Sequence, residues 1–543
     1  MAQHRQPKVA VVGLGAQGLV TIKNLLEQGF DVTGFDKNDY VGGIWHYVAE
    51  HRVSALPTTV VNISRERCSF TDFPFPQGTS SYPTSAEIDN YLNGYCDHFE
   101  LRPHLRLSTA VTDIYRDEEK NTWFLTVQGN ASKEAETLSF EKLVIAVGPH
   151  QVPIWPDIEG LSSFKGTVSH SIQYKDPVEF KDKRVMVVGI SNTAGDTSTS
   201  LVGVASKIYL AHRDGACVVP RYLKDGSSLD HALGFRTGMI KDFLEYYFPH
   251  ASRNFLDNMM NKIITQEFGE IDPSWRLMPA PSLVHQVPTV SETLIPALRA
   301  GNIISTHAPN RIVGDYQVEL QDGTIVEVDS IICCTGYHLD YSILGKNDPT
   351  LTDTGEHDWK TPKLYQNVFC LQHPNSLAFV GVALTFFPAF LLSDLSSMAL
   401  AQIWSNKPDT PTLPAQADLE QWYADHLKWV SYIRSLSPRG KFVKCQIQNG
   451  PWLEWVQETA GTNVGPNLNY GSLQAWRFWC RNPSFCKLLM DGIWTPHIYR
   501  LFDSDRRKTW SGAREAIEKV NLDAKRNKEN RKKERLEVAK AVS

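Results

Sequence analysis

Strand-like and helix-like patterns alternate at the start of the chain. Lys8-Val-Ala-Val-Val12 is a β-branched run closed by glycine, as in a strand buried on both faces of a parallel sheet. Gly13-Leu-Gly-Ala-Gln-Gly18 follows at once. Leu19, Ile22, Leu25 and Leu26 then recur at helical spacing, which predicts a helix over 19–28. A second strand, Asp31–Phe35, ends at Asp36. The same order returns far downstream. Arg184-Val-Met-Val-Val188 reads as a strand, Gly189-Ile-Ser-Asn-Thr-Ala194 as a turn, 196–204 as a helix, and 207–211 as a strand ending at His212-Arg213. Strand, glycine turn, helix and strand, twice, predict an α/β chain with two Rossmann-like dinucleotide-binding domains, the second inserted in the first.

Beyond this core the pattern changes. Residues 215–290 are irregular and aromatic, with helical stretches over 239–247 and 255–264, and read as an insertion that shapes a substrate entrance. Residues 325–334 return to strand character. The apolar run 377–392 is broken by Gly381, Thr385 and Pro388, short of the 18–20 clean residues that span a bilayer, and predicts a buried strand and helix. After Asn406 comes a Trp-rich stretch that predicts an accessory helical layer. The tail 514–540 carries ten basic and six acidic residues and predicts a solvated helix. The resulting division is 1–175 and 331–405 for the first nucleotide domain, 176–330 for the second with its insertion, and 406–543 for a mainly helical extension.

Composition narrows the classes. The chain has 543 residues, 42% hydrophobic and 21% charged, ordinary globular usage. A net charge of −5 argues against a nucleic-acid partner. Nine cysteines, none in a C-x-x-C pair, support neither a disulfide scaffold nor a zinc site, and no metal-ligand spacing is present. A polar start, with only Val9–Val12 behind it, is too short for a secretion signal, so a soluble cytoplasmic chain is expected. A homodimer is an assembly that the sequence leaves open.

In Gly13-x-Gly15-x-x-Gly18 the first glycine permits the tight turn. The second lets backbone approach a pyrophosphate, and the third lets helix and strand pack closely. Asp36 stands where an acid accepts from ribose hydroxyls. In Gly42-Gly43-Ile44-Trp45 paired glycines let the chain lie against a flat ligand. The second turn has Ser191 in place of the middle glycine. Arg213, at the end of the next strand, fits a 2′-phosphate and so selects NADPH over NADH. Cys333 and Cys334, adjacent on a strand, point to opposite faces and read as core rather than as a redox pair.

The chain resembles the flavin-containing monooxygenases, single-component class B enzymes. Phe164-x-Gly166-x-x-x-His170-x-x-x-Tyr174 matches their F-x-G-x-x-x-H-x-x-x-[YF] pattern, where the related Baeyer–Villiger enzymes end in Trp. Val61-Asn62-Ile-Ser-Arg65 with Phe70-Thr-Asp-Phe-Pro, Gly42-Gly43-Ile-Trp45, and Cys333-Cys-Thr-Gly-Tyr337 are similar to further blocks over roughly residues 7–400. Ser191, Thr193 and Val147 depart from the pattern.

The resemblance implies that Gly13, Gly15, Ala16, Gln17, Gly18 and Asp36 hold FAD, with Gly43, Ile44 and Trp45 along it. Val61, Asn62 and Ile63 would lie beside the flavin, Asn62 being the catalytic residue that supports the oxygenated flavin. Ser191, Asn192, Thr193, Ala194, Gly195, Asp196 and Arg213 would hold NADPH. It also implies that NADPH reduces FAD, O2 forms a C4a-hydroperoxyflavin, and a small molecule takes one oxygen at N or S. A soluble chain with its own C-terminal extension suits specialised metabolism as well as detoxification. The alternatives are Baeyer–Villiger insertion or uncoupled oxidase on the same scaffold, and a non-catalytic flavin-binding protein.

Overall fold

Alternation along the two founding strands decides which layers cover them. On Lys8–Val12, Val9 and Val11 join one apolar cluster and Ala10 the other. On Arg184–Val188, Val185 and Val187 face one way and Met186 and Val188 the other. Each sheet is therefore covered on both faces. The computed structural model describes residues 6–50, 52–130, 134–385, 387–437, 443–507 and 509–542. The start Met1–Arg5, Phe386 within the apolar run, and Ser543 lie outside the described residues.

The first sheet has seven strands in the order Leu364–Tyr365, Phe369–Cys370, Leu377–Phe379, Lys142–Ile145, Lys8–Val12, Asp31–Phe35 and Leu105–Arg106, parallel from Leu377–Phe379 onward. Helices Ala16–Glu27, Ser85–His98 and Ala389–Ser405 cover one face. The antiparallel meander Thr109–Asp117, Thr122–Gly129, Ala135–Phe140 covers the other through Ile114, Trp123 and Leu125. The second sheet repeats the plan with five parallel strands, Ile304–His307, Lys207–His212, Arg184–Val188, Ser330–Cys333 and Thr167–His170. Helices Asn192–Ser200 and Leu294–Arg299 lie on one face. A three-stranded antiparallel sheet starting at Pro309–Gly314 lies on the other.

Two readings from the pattern shift. The second turn's helix is Asn192–Ser200, not 196–204, because its first turn must start directly beneath the strand ends, as Ala16–Glu27 does; the polar stretch Asn-Thr-Ala-Gly-Asp-Thr hides that start. Thr167–His170 and Ser330–Cys333 pair with each other inside the second sheet, across the divisions drawn at 175 and 330. Four-residue strands of mixed polarity carry no periodic signal. The chain passes between the two sheets twice, side by side, where Val152–Pro153 pairs antiparallel with Tyr337–His338.

The insertion folds as helices Phe235–Tyr247 and Pro249–Phe268, and the extension as a helical layer. Trp452 and Trp494 are buried in it, while Trp476 and Trp479 stay about half exposed. The tail differs from a solvated helix. Ala513–Val542 buries Ala513, Ala516, Ile517 and Ala524 along one face. Farther on, Lys528 pairs with Asp225 at 2.6 Å.

A buried charge cluster fastens the extension to the first helix. Arg500 donates to Glu27 at 3.0 Å and meets Asp72 at 2.7 Å; Arg507 reaches Glu27 at 3.4 Å. Lys23 bridges Glu27 and Asp72, and Asp394 accepts from Asn24 and the Thr71 N–H at 2.9 Å each. Three cations thus face three carboxylates. Burial pushes Glu27 and Asp72 upward, but Arg500, Arg507 and Lys23 more than reverse it and hold both below the ordinary 4.5 and 3.8. Depressed carboxylates stabilise the fold fully above those values and lose that contribution as pH falls below them. The thermal midpoint should therefore drop steeply below about pH 4. Arg500→Met should flatten that drop and cost about 3–5 kcal/mol at neutral pH, because it strands buried carboxylates. A pH series of melting curves checks both.

Candidate functional site

Close approach fixes the first turn. Gly13 has φ +99°, and a Cβ on it would lie 2.5 Å from the Ala146 carbonyl; one on Gly18 would lie 1.8 Å from the Gly13 carbonyl. Only glycine fits, so Ala16–Glu27 starts hard against the strand ends. Gly15, at its N-cap, has no side chain to satisfy the first amides, which leaves donors and partial positive charge for an anion. Asp36 accepts from the Leu14 N–H at 2.8 Å and the Asn38 N–H at 2.9 Å. Burial raises its pKa against those bonds. Each carboxylate oxygen still has a lone pair for a ribose hydroxyl.

Gly42 donates its N–H to Leu14 O at 3.0 Å, and a Cβ on Gly43 would come 3.1 Å from Gly15 Cα. The segment through Ile44 and Trp45 thereby lies along the turn. Trp45 meets Phe390 edge-on, with centroids 6.4 Å apart. Gln17 lies against two glycines that sequence reasoning did not single out: a Cβ would be 3.8 Å from its side chain at Gly148 and 2.1 Å at Gly381. Both have positive φ, and only that strain, invisible in a loop sequence, marks them. A glycine-walled cradle with unsatisfied amides at one end and an acid at the other fits a dinucleotide.

The second turn repeats the geometry. A Cβ on Gly189 would sit 2.6 Å from the Cys334 carbonyl, and Ser191 caps Asn192–Ser200 without a side-chain bond. Thr193 is exposed at the opening, and Ala194 and Gly195 are buried beneath it. Asn192 is engaged elsewhere: its amide donates to Pro288 O at 3.2 Å and accepts from the Val290 N–H at 2.8 Å, tying the turn to the end of the insertion. Arg213 is exposed at the end of Lys207–His212. Arg276, from the insertion, brings a second guanidinium there, donating to His212 O at 3.2 Å and Thr306 O at 2.9 Å.

Asn62 lies in a segment held from two sides. Val60 bridges to Thr84, and the Val61 N–H donates to Pro83 O at 2.9 Å. Thr84 starts Ser85–His98 through a capping box with Glu87, which anchors this backing segment. From the other side comes Arg221, donating to Val60 O and Val61 O at 2.9 Å and to Asn62 Oδ1 at 3.0 Å, and pairing with Glu292 at 2.8 Å. Asp230 accepts from the Ser64 N–H and hydroxyl at 2.8 Å. The insertion thus clamps the segment that carries Val61, Asn62 and Ile63. Asp196, in the first turns of its helix, is raised to about 6 by burial, with Arg221 opposing and Glu292 adding to the rise.

A family sequence model for flavin-binding monooxygenase-like proteins matches residues 6–540. The chain belongs to the flavin-binding monooxygenase-like family. It is an oxidoreductase that uses O2 on a small molecule. It is 41% identical over 527 residues to monooxygenase aurF of Gibberella zeae, covering 95% of this chain and 98% of that one. It is 27% identical to flavin-containing monooxygenase 3 of Rattus norvegicus, covering 94% and 91%. The fold is similar to S-allyl-L-cysteine S-oxygenase from Allium sativum, with TM-score 0.62, 19% identity, and coverage of 95% and 99%. It is also similar to cyclohexanone monooxygenase from Rhodococcus sp. Phi1 bound to NADP+, with TM-score 0.60, 19% identity, and coverage of 84% and 98%.

In this flavin-binding monooxygenase-like chain the residues of the Phe164–Tyr174 pattern are structural. A Cβ on Gly166 would lie 2.4 Å from Asp329 O, and Phe164 packs against the second sheet. His170 is fully buried, its ring 5.0 Å from Tyr337 and 5.6 Å from Trp155, and the Tyr174 hydroxyl meets Ser200 Oγ at 2.7 Å. Cys333 and Cys334 enter separate apolar clusters as free thiols, both raised to about 12 by burial. Among the described residues no group of His, Cys, Asp and Glu has metal-ligand geometry, and no helix is long and apolar enough to cross a membrane.

Asp196 gives a prediction of opposite sign to the charge cluster. A carboxyl raised from 3.8 to about 6 costs stability once ionised, and the penalty grows as pH rises through that window. Asp196→Asn should raise the thermal midpoint above about pH 6 and leave it unchanged below 3.8. A rise of equal size at both ends would contradict the burial effect.

Proposed function

We propose that this chain is an FAD- and NADPH-dependent monooxygenase that adds one oxygen atom to nitrogen or sulfur of a small molecule. The observation that carries the reading is the pair of glycine turns, Gly13 beneath Ala146 O and Gly189 beneath Cys334 O. Bound FAD, reduced by NADPH, supplies the electrons and the site at which O2 is activated. The chain's residues do the rest. The first-turn amides of Ala16–Glu27 would donate to the FAD pyrophosphate, and Asp36 would accept from its ribose hydroxyls. The amides above Gly189 and the Arg213 guanidinium hold NADPH. Asn62 offers its Nδ2 hydrogens to the reacting face, donors in place before charge develops. Buried Val61 and half-buried Ile63 and Trp45 keep water from it. Tyr174 ends its motif as in the flavin-containing monooxygenases, where the Baeyer–Villiger pattern has Trp, and this supports oxygenation of a soft nucleophile over insertion beside a carbonyl.

The purified protein should be yellow and should bleach with NADPH under nitrogen. With air admitted, amines or sulfides should gain the mass of one oxygen. A product from ketones alone would move the assignment to Baeyer–Villiger insertion, and a colourless protein that takes up no FAD would end the reading.

Arg213→Ala should raise the NADPH KM about tenfold or more, the worth of a charged hydrogen bond, with little change for NADH. Equal effects on the two nucleotides would remove the 2′-phosphate argument.

A further inference from the structure

We infer that Arg221 is a positioning residue for Asn62: it fixes which side of the Asn62 amide looks into the cleft, and the C-terminal helix holds Arg221 in place. The inference rests on the role of Asn62 proposed above. A guanidinium only donates hydrogen bonds, so the atom that meets Arg221 Nη2 at 3.0 Å must be the amide oxygen. With Oδ1 held there, Nδ2 turns the other way, and among the described residues it donates to no protein group. An unanchored asparagine amide rotates between two near-equivalent orientations. One would offer the cleft an acceptor in place of a donor.

Arg221 is itself heavily constrained. Its Nε and Nη2 donate to Val61 O and Val60 O, its Nη1 pairs with Glu292, its own N–H donates to Glu292 at 2.6 Å, and it is 8% exposed. The loop that follows it is fastened by Ala513–Val542. Arg531 donates from Nε to Gly226 O at 2.8 Å and from Nη1 to Ser81 Oγ at 3.1 Å, and its guanidinium lies 4.3 Å from the Tyr222 ring centre. Arg535 donates to Leu223 O at 2.7 Å. Gly226 must be glycine, because a Cβ there would lie 2.7 Å from Lys528 O, backbone of the helix itself. The Tyr82 hydroxyl completes the arrangement by donating to Arg221 O at 2.7 Å. Ser81 and Tyr82 belong to the first nucleotide domain and Arg221 to the second, so the tail fastens the joint that carries Asn62.

The test uses the flavin-loaded full chain with NADPH and dissolved oxygen alone. Hydrogen peroxide released per flavin is measured for wild type, Asn62→Ala, Arg221→Met, the double variant and Arg531→Ala. Flavin content and the melting midpoints of the flavin-loaded and flavin-stripped proteins are recorded for each. Asn62→Ala and Arg221→Met should each raise release about tenfold or more, as when one preorganised donor is lost. The double variant should match Asn62→Ala alone, since Arg221 acts through it. Arg531→Ala should raise release by a smaller factor at full flavin content. A loss of fold alone would lower flavin content and midpoint without producing this non-additivity. If Asn62→Ala leaves release unchanged, the role of Asn62 fails and this inference with it. If Asn62→Ala raises release while Arg221→Met at full flavin content does not, or if the two effects multiply, only the positioning claim is overturned. Should Arg221→Met lose flavin, Arg531→Ala decides: unchanged release overturns the claim.

Discussion

The constraint on which this molecule depends is the approach of a turn to the end of a neighbouring strand. At Gly13 and at Gly189 the chain passes so close to a carbonyl, of Ala146 and of Cys334, that a methyl group would overlap it. That approach aims the following helix at the strand ends and leaves its first amides bare. It also explains why both sheets are parallel at this point and covered on both faces. A turn of this kind needs the strand beside it, and in both sheets that strand, Lys142–Ile145 or Ser330–Cys333, is reached through a three-stranded antiparallel meander. Everything that can hold an anionic nucleotide follows from two contacts measured in tenths of an ångström.

The helix that starts at the first turn is fixed at its other end by charge. Lys23, Asn24 and Glu27 enter the cluster with Asp72, Asp394, Arg500 and Arg507. Burying so many charges is favourable only when each is paired and hydrogen-bonded, and removing one strands the others. The cluster therefore acts less as a source of net stability than as a specification. It allows one placement of the extension against the first nucleotide domain, and from there the tail helix runs to the Arg221 loop.

Much of this was legible in the sequence. Glycines followed by periodic leucines marked the first unit, and a β-branched strand before a glycine marked the second. The resemblance picked out the Phe164–Tyr174 motif, which the structure shows packed at the second sheet. What escaped did so for physical reasons. Gly148 and Gly381 matter through backbone strain and proximity, which residue type alone does not report. The helix after Gly189 is polar because a small-residue face packs against Thr289 and Leu294, so its periodicity is silent. The side chain of Asn192 is tied to Pro288 O and the Val290 N–H, a use that its place in the turn does not reveal. Arg221 sits in an irregular insertion, and its importance lies in carbonyls some 160 positions earlier. The tail looked solvated because its apolar face is small, mostly alanine, and its farther contacts are made by cations that a helical wheel counts as surface.

The same insertion sets the electrostatics of the cleft. Arg221 is balanced by Glu292 directly and by Asp196 at longer range, so this part of the cleft gathers one cation and two acids. Nucleotide phosphates would add further negative charge. Burial answers this by raising the Asp196 carboxyl to about 6, which keeps a share of it neutral near physiological pH. Arg213 and Arg276 stand farther out, at the strand ends, where an anion can meet them. Positive charge thus lies at the mouth for recognition. Inside, the one guanidinium beside Asn62 is spent on two carbonyls, one amide oxygen and one carboxylate. Such a cation cannot roam, and the Asn62 Nδ2 that it leaves without a partner among the described residues is a neutral donor. A neutral donor can stabilise an oxygen without also delivering it a proton, a distinction that a Lys in the same place would not preserve as well.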